Sequence, residues 1–166
     1  SPIVSSKPTV RETGVSLSTI AGLGTFADFT IVPEVAAVVI DEDIPFPQAA
    51  LLGCGVTTGV GAVLNTAKVQ PGSTVAVFGC GGVGLNGIQG AAIANASIII
   101  AVDLLDNKLD MACEFGATHT VNATRDNPVE GILELTDGQG VHYAFEAIGL
   151  AQEPFVQSVL CTRKRG

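Results

Sequence analysis

One stretch constrains the fold of this chain more than any other. Val75-Ala76-Val77-Phe78 runs directly into Gly79-Cys80-Gly81-Gly82-Val83-Gly84, and Ile98-Ile99-Ile100-Ala101-Val102 ends on Asp103. An apolar β-branched run, a G-x-G-x-x-G turn, a helix-compatible segment and a second apolar run predict a strand–turn–helix–strand unit. The acid falls 19 residues past Gly84, at the tip of the second strand. Each part suits a dinucleotide. Gly79 allows the tight turn, Gly81 lets backbone approach a pyrophosphate, and Gly84 lets helix and strand pack closely. Gly82 opens the helix, whose unpaired N–H groups and positive dipole end favour an anion. Asp103 is placed to accept hydrogen bonds from a ribose 2′-hydroxyl.

From residue 74 onward, strand and helix patterns alternate. Strands are predicted at 74–78, 98–102, 119–122 and 143–147, and helices at 82–95, 106–115, 128–136 and about 153–163. Such alternation predicts an α/β fold, a doubly wound parallel sheet of the Rossmann type with right-handed crossovers. The two longest apolar strands lack period-2 alternation, as expected when helices cover both faces. Ahead of this, 26–32 and 36–40 read as two short strands around Pro33-Glu34. Asp41-Glu42-Asp43-Ile44-Pro45 reads as a turn and helix start, continued by 48–52. A second helical stretch covers 57–68, closed by Gln70-Pro71-Gly72-Ser73. Both ends look cut, and the predicted sheet stops before the strands that normally complete it.

The 166 residues suit one domain plus a piece of another, and 47% hydrophobic residues suffice for a packed core. A net charge of −8 argues against a nucleic-acid partner, since no basic face is available to neutralise phosphates. No contiguous apolar run reaches the length of a membrane span, and the N-terminus lacks the order of a secretory signal. The cysteines, Cys54, Cys80, Cys113 and Cys161, form no C-x-x-C pair. Without a secretion signal they are expected as reduced cytoplasmic thiols. Cys80 reads as a passenger in the turn, and Cys113 and Cys161 as core residues of helices.

The segments 51–62 (Leu-Leu-Gly-Cys-Gly-Val-Thr-Thr-Gly-Val-Gly-Ala) and 68–79 (Lys-Val-Gln-Pro-Gly-Ser-Thr-Val-Ala-Val-Phe-Gly) resemble the zinc-dependent medium-chain alcohol dehydrogenase family. Glu114-Phe115-Gly116-Ala117-Thr118 and Phe145-Glu146-Ala147-Ile148-Gly149 extend the match in family order. The flavour is that of the glutathione-dependent formaldehyde dehydrogenase branch. The resemblance implies that 1–55 is the end of a GroES-like, β-containing catalytic domain and 56–166 a dinucleotide-binding domain. It implies an oxidoreductase moving hydride between an alcohol or aldehyde and NAD, with zinc at the substrate. It also implies a homo-oligomeric full-length protein with no membrane or nucleic-acid partner.

Residue by residue, Cys54 matches a ligand of the catalytic zinc, and Thr58 a residue at the nicotinamide end. Val83 matches one near the nicotinamide ribose, and Asp103 the acid on the adenosine ribose. Lys108 matches its basic neighbour, and Ile148 a backbone contact to the ribose region. Ile20 and Ala21 fall where the family places apolar substrate-pocket residues. By itself, a zinc-bound thiolate is ordinary metal-site chemistry, yet a cysteine in so apolar a setting equally suits a small buried hydrophobe. The family's other catalytic zinc ligands, an upstream Cys and His, have no counterpart, because both histidines, His119 and His142, lie downstream. Both read as strand-edge residues. The chain alone is therefore expected to be inactive. Rival readings are a non-catalytic nucleotide-binding module, a zinc-free quinone reductase of the same superfamily, and a methyltransferase using S-adenosylmethionine.

Overall fold

The computed structural model describes residues 12–16, 25, 28–149 and 151–164. The chain divides into two units, Ser1–Ile44 and Pro45–Gly166. In the first, the described residues form no strand at 28–40. The only regular element there is a 3-10 turn, Glu34–Ala36, begun by Pro33. The two strands expected around Pro33-Glu34 are thus not formed. Ile31, Val35, Val38 and Val39 have the right β-branched chemistry, but all stand exposed, with no partner strand among the described residues. Of the expected first strand, residues 26 and 27 lie outside the described residues, as do Ile20 and Ala21.

The second unit is built on a four-stranded, all-parallel sheet: β1 Thr74–Phe78, β2 Ile98–Asp103, β3 His119–Asn122 and β4 Tyr143–Glu146, in the order β3-β2-β1-β4. Its helices are α1 Phe46–Leu51, α2 Thr57–Gly61, α3 Gly82–Ile93, α4 Asp106–Glu114, α5 Pro128–Leu135 and α6 Gln152–Leu160. Local chemistry accounts for several starts. Pro47 lies in the first turn of α1. Asn127 caps α5, accepting a bond from the Val129 N–H at 3.0 Å, with Pro128 at the first helical position.

Both sheet faces are covered. Val75, Val77, Ile99 and Ala101 point to one side, into a core with Val63, Leu85, Ile88 and Leu109. Ala76, Phe78, Ile100 and Val102 point to the other, against Val121, Ile132, Val141 and Cys161. Strand periodicity thus distributes one continuous apolar run between two layers, which is why the run shows no alternation. After α6 the chain returns along β4. Val141 and Thr162 form a parallel bridge, the Val141 N–H donating to Cys161 O and the Arg163 N–H to Val141 O, both at 2.9 Å.

The helical stretches expected at 48–52 and 57–68 are one helix. α1 and α2 are joined and extended by π-turns at Leu52–Val56 and Ala62–Ala67, giving 22 continuous residues, Phe46–Ala67. By length and composition this helix is long and apolar enough to cross a membrane, which a reading of contiguous apolar runs did not anticipate. It packs against α3. A Cβ on Gly59 would lie 2.4 Å from Val83 O, and one on Gly90 would lie 3.1 Å from the Val63 Cβ. The helix ends at Lys68, in left-handed conformation with φ 52°.

Candidate functional site

Strand order reverses between β1 and β4, whose connections leave on opposite faces. A crevice at the carboxyl ends of the strands is expected there. A cleft of about 540 Å³ occupies that place, walled by Gly79 and Gly81, by Asp103, Leu104 and Lys108, and by Ile148.

The glycine turn is shaped by three different constraints. Gly79 has φ 90°, a left-handed conformation that disfavours any side chain. A Cβ on Gly84 would lie 1.8 Å from Gly79 O, so α3 approaches the turn as closely as backbone allows. Gly81 has φ −82°, open to any residue, and a Cβ there would meet nothing within 4 Å. Protein packing does not require glycine at that position, so the space it leaves is available to a ligand. Gly82 and Val83 follow as the first turn of α3, where N–H groups have no intrahelical partner.

Asp103 ends β2 and is held in place by backbone. Its Oδ2 accepts from the Cys80 N–H at 2.8 Å, and its Oδ1 from the N–H groups of Leu104 at 2.8 Å and Leu105 at 3.1 Å. The first bond ties the acid to the glycine turn across β1 and β2. A carboxylate offers about four acceptor positions, so one remains for a hydroxyl. Cys80 is more than a passenger. It is 2% exposed, and burial, with Asp103's charge adding to it, pushes its thiol up to about 12. Cys161 is buried as expected, its thiol pushed up to about 11 by burial. Cys113 is exposed, against the expectation of a core residue, because it takes an outward position on α4. All four cysteines are free.

Cys54 and Thr58 are exposed and lie one turn apart on the long helix. The helix brings this segment to the start of α3, a Cβ on Gly55 lying 3.9 Å from Gly82 O. Exposure removes the small-buried-hydrophobe reading of Cys54. Among the described residues, however, no three His, Cys, Asp or Glu side chains form a metal-sized group. The residues present therefore fit a dinucleotide but not, by themselves, a catalytic zinc.

His142 accepts at Nδ1 from the Thr74 N–H at 3.0 Å and faces Arg163 at Nε2, while His119 pairs with the Thr118 hydroxyl at 2.8 Å. Neither lines the cleft. One residue beside the site was not singled out from the sequence. Glu146 Oε1 accepts from the N–H groups of Ile148 at 2.6 Å and Gly149 at 2.8 Å. The available signal was an acid two and three positions before Ile148-Gly149, a side-chain-to-backbone turn pattern.

Sheet order, glycine turn and strand-tip acid together define an α/β domain of the Rossmann type. The zinc-binding dehydrogenase family model matches residues 82–166, and the chain belongs to that family. It is 46% identical over 134 residues to an S-(hydroxymethyl)glutathione dehydrogenase of Paracoccus denitrificans, covering 77% of this chain and 36% of that protein. Among solved structures it resembles the benzyl alcohol dehydrogenase of Acinetobacter calcoaceticus. That match has a TM-score of 0.72 and 40% identity, over 76% of this chain and 34% of the other. It also resembles a quinone oxidoreductase of Pseudomonas syringae pv. Tomato DC3000, with a TM-score of 0.71 and 27% identity over 78% and 39% of the two chains. The chain thus spans about a third of the length of the curated relative it matches.

Proposed function

We propose that this chain is the NAD-binding part of a zinc-dependent alcohol or aldehyde dehydrogenase. The observation that supports this most is the cleft at the β1/β4 switch point, with Asp103 bonded to the glycine turn and open space beside Gly81. In this reading Asp103 accepts from the adenosine ribose, with Lys108 beside it. Gly79, Gly81, Gly82, Val83 and Gly84 present backbone to the pyrophosphate and nicotinamide ribose, and Thr58 and Ile148 flank the nicotinamide end. The chemistry such a cofactor supplies is acceptance of hydride from the alcohol carbon. The chain's residues orient it and leave one face free for substrate. Cys54 is the chain's contribution to zinc, with further ligands outside the described residues.

Residues 1–55 then belong to the catalytic domain and 56–166 to the cofactor domain. The full-length protein is a cytoplasmic homo-oligomer acting on a small molecule, with no nucleic-acid or membrane partner. Similarity to an S-(hydroxymethyl)glutathione dehydrogenase favours that adduct among candidate substrates. The quinone oxidoreductase neighbour gives a second reading, in which Cys54 has no metal to hold.

The test is cofactor choice. A 2′-phosphate would stand against the Asp103 carboxylate, a repulsion of about 1–3 kcal/mol in a half-buried site. NAD+ should bind at least about tenfold more tightly than NADP+, and Asp103→Ser should narrow the gap. Equal affinities in the wild type, measured by calorimetric titration, would overturn the assignment of Asp103.

A further inference from the structure

The wall of the cleft opposite Asp103 is a turn, residues 147–149, with few supports of its own. The Ala147 N–H still donates to Phe78 O at 2.9 Å, so pairing with β1 ends there. Beyond it, Gly149 has φ 71°, and Ile148 is 51% exposed. What fixes the turn is Glu146. One oxygen, Oε1, accepts from both the Ile148 and the Gly149 N–H groups, at 2.6 and 2.8 Å. The consequence reaches the glycine turn: Ile148 Cγ1 lies 2.6 Å from where a Cβ on Gly79 would stand. Ile148 is thus seated against the tightest point of the phosphate turn, and its backbone orientation is set by a carboxylate that does not line the cleft itself.

Resting on the dinucleotide reading above, we propose that Glu146 is a positioning residue for the cofactor. Its carboxylate holds Ile148 across the cleft from Asp103, at the half of the dinucleotide remote from the adenosine. Charge-assisted bonds to two backbone N–H groups are among the stronger local constraints available to a turn. Without them, 147–149 keeps the bond at Ala147 as its one backbone bond among the described residues, and little holds Gly149 left-handed.

The geometry separates two probes. 5′-AMP reaches only the Asp103 side, whereas NAD+ extends past Gly79 to Ile148. In the full chain, Glu146→Ala should weaken NAD+ about tenfold, the effect of two lost charge-assisted bonds. It should change 5′-AMP less than about twofold. Glu146→Gln keeps an acceptor oxygen in place and should bind NAD+ within about threefold of wild type. If the Ala variant does not fold, Glu146→Met, of similar length but without an oxygen acceptor, serves the same comparison. Parallel loss of NAD+ and 5′-AMP, or a Gln variant as weak as Ala, would assign Glu146 a merely structural role and overturn the proposal. So would unchanged NAD+ binding in the Ala and Met variants. A wild type binding neither nucleotide overturns the cofactor reading itself, and this proposal with it.

Discussion

Glycines of one motif do different work at Gly81 and Gly84, and the difference is measurable. A Cβ on Gly84 meets the backbone oxygen of Gly79 at 1.8 Å, where no flexible side chain can yield. Gly84→Ala should therefore lower stability by about 1–3 kcal/mol, the usual cost of overpacking, read as a shifted urea midpoint. Gly81→Ala meets nothing within 4 Å at an ordinary φ of −82°. It should leave the midpoint unchanged or slightly raised, through a less flexible unfolded chain, while weakening NAD+ binding. Equal destabilisation by the two would show that Gly81 is also a packing residue. The sequence made both glycines legible as a motif, but not this division of labour. Nor did it reveal that Asp103 is tethered by the Cys80 N–H, because a bond between residues 23 apart depends on the register of β1 and β2. The role of Glu146 is illegible for a similar reason: it accepts bonds only within the turn that it makes.

At the scale of elements, all four strands and the four helices after residue 74 were legible. β1 and β2 are apolar runs that the β3-β2-β1-β4 order buries against helices, so their signal is intrinsic to their own residues. The strands expected at 26–32 and 36–40 are not formed over the described residues 28–40, because a strand exists only with a partner and none lies beside their valines and isoleucines among the described residues. The helical stretches expected at 48–52 and 57–68 join for another reason: π-turns at Leu52–Val56 and Ala62–Ala67 carry one helix through Gly53 and Gly55. Where β4 begins, His142 joins two elements. Its Nδ1 accepts from Thr74 of β1, and its Nε2 faces Arg163 beyond α6. Burial, and then the Arg163 charge, hold it below its ordinary value of 6.5. The folded state therefore binds fewer protons than the unfolded chain, and stability should fall as pH drops through that ordinary value. His142→Gln keeps an acceptor without the titration and should flatten the decline. Urea midpoints of both proteins at pH 7.5 and 5.5 test this, and parallel declines would assign the pH dependence elsewhere.

The whole molecule couples a well-packed sheet to a cleft at the carboxyl ends of its strands. Its second unit holds both layers of core, the glycine turn and the tethered acid, so the nucleotide binding proposed above rests on residues that are present. The proposed metal binding does not. Zinc in a catalytic setting takes three protein ligands and leaves one position open. Among the described residues Cys54 has no two companions, and no Cys or His precedes it in the sequence. An exposed lone thiolate binds zinc weakly and without fixed geometry, because each further ligand, not the first, supplies the chelate gain. Hydride transfer further requires substrate held in contact with the nicotinamide, a constraint worth several orders of magnitude in rate. The chain Ser1–Gly166 should therefore bind NAD+ yet retain no stoichiometric zinc after dialysis, and reduce no NAD+ with ethanol, longer alcohols or S-(hydroxymethyl)glutathione. Metal analysis and absorbance at the reduced-nicotinamide band decide it. One tightly held zinc per chain, lost in Cys54→Ser, together with turnover above background, would mean that ligands come from residues assigned here to the fold.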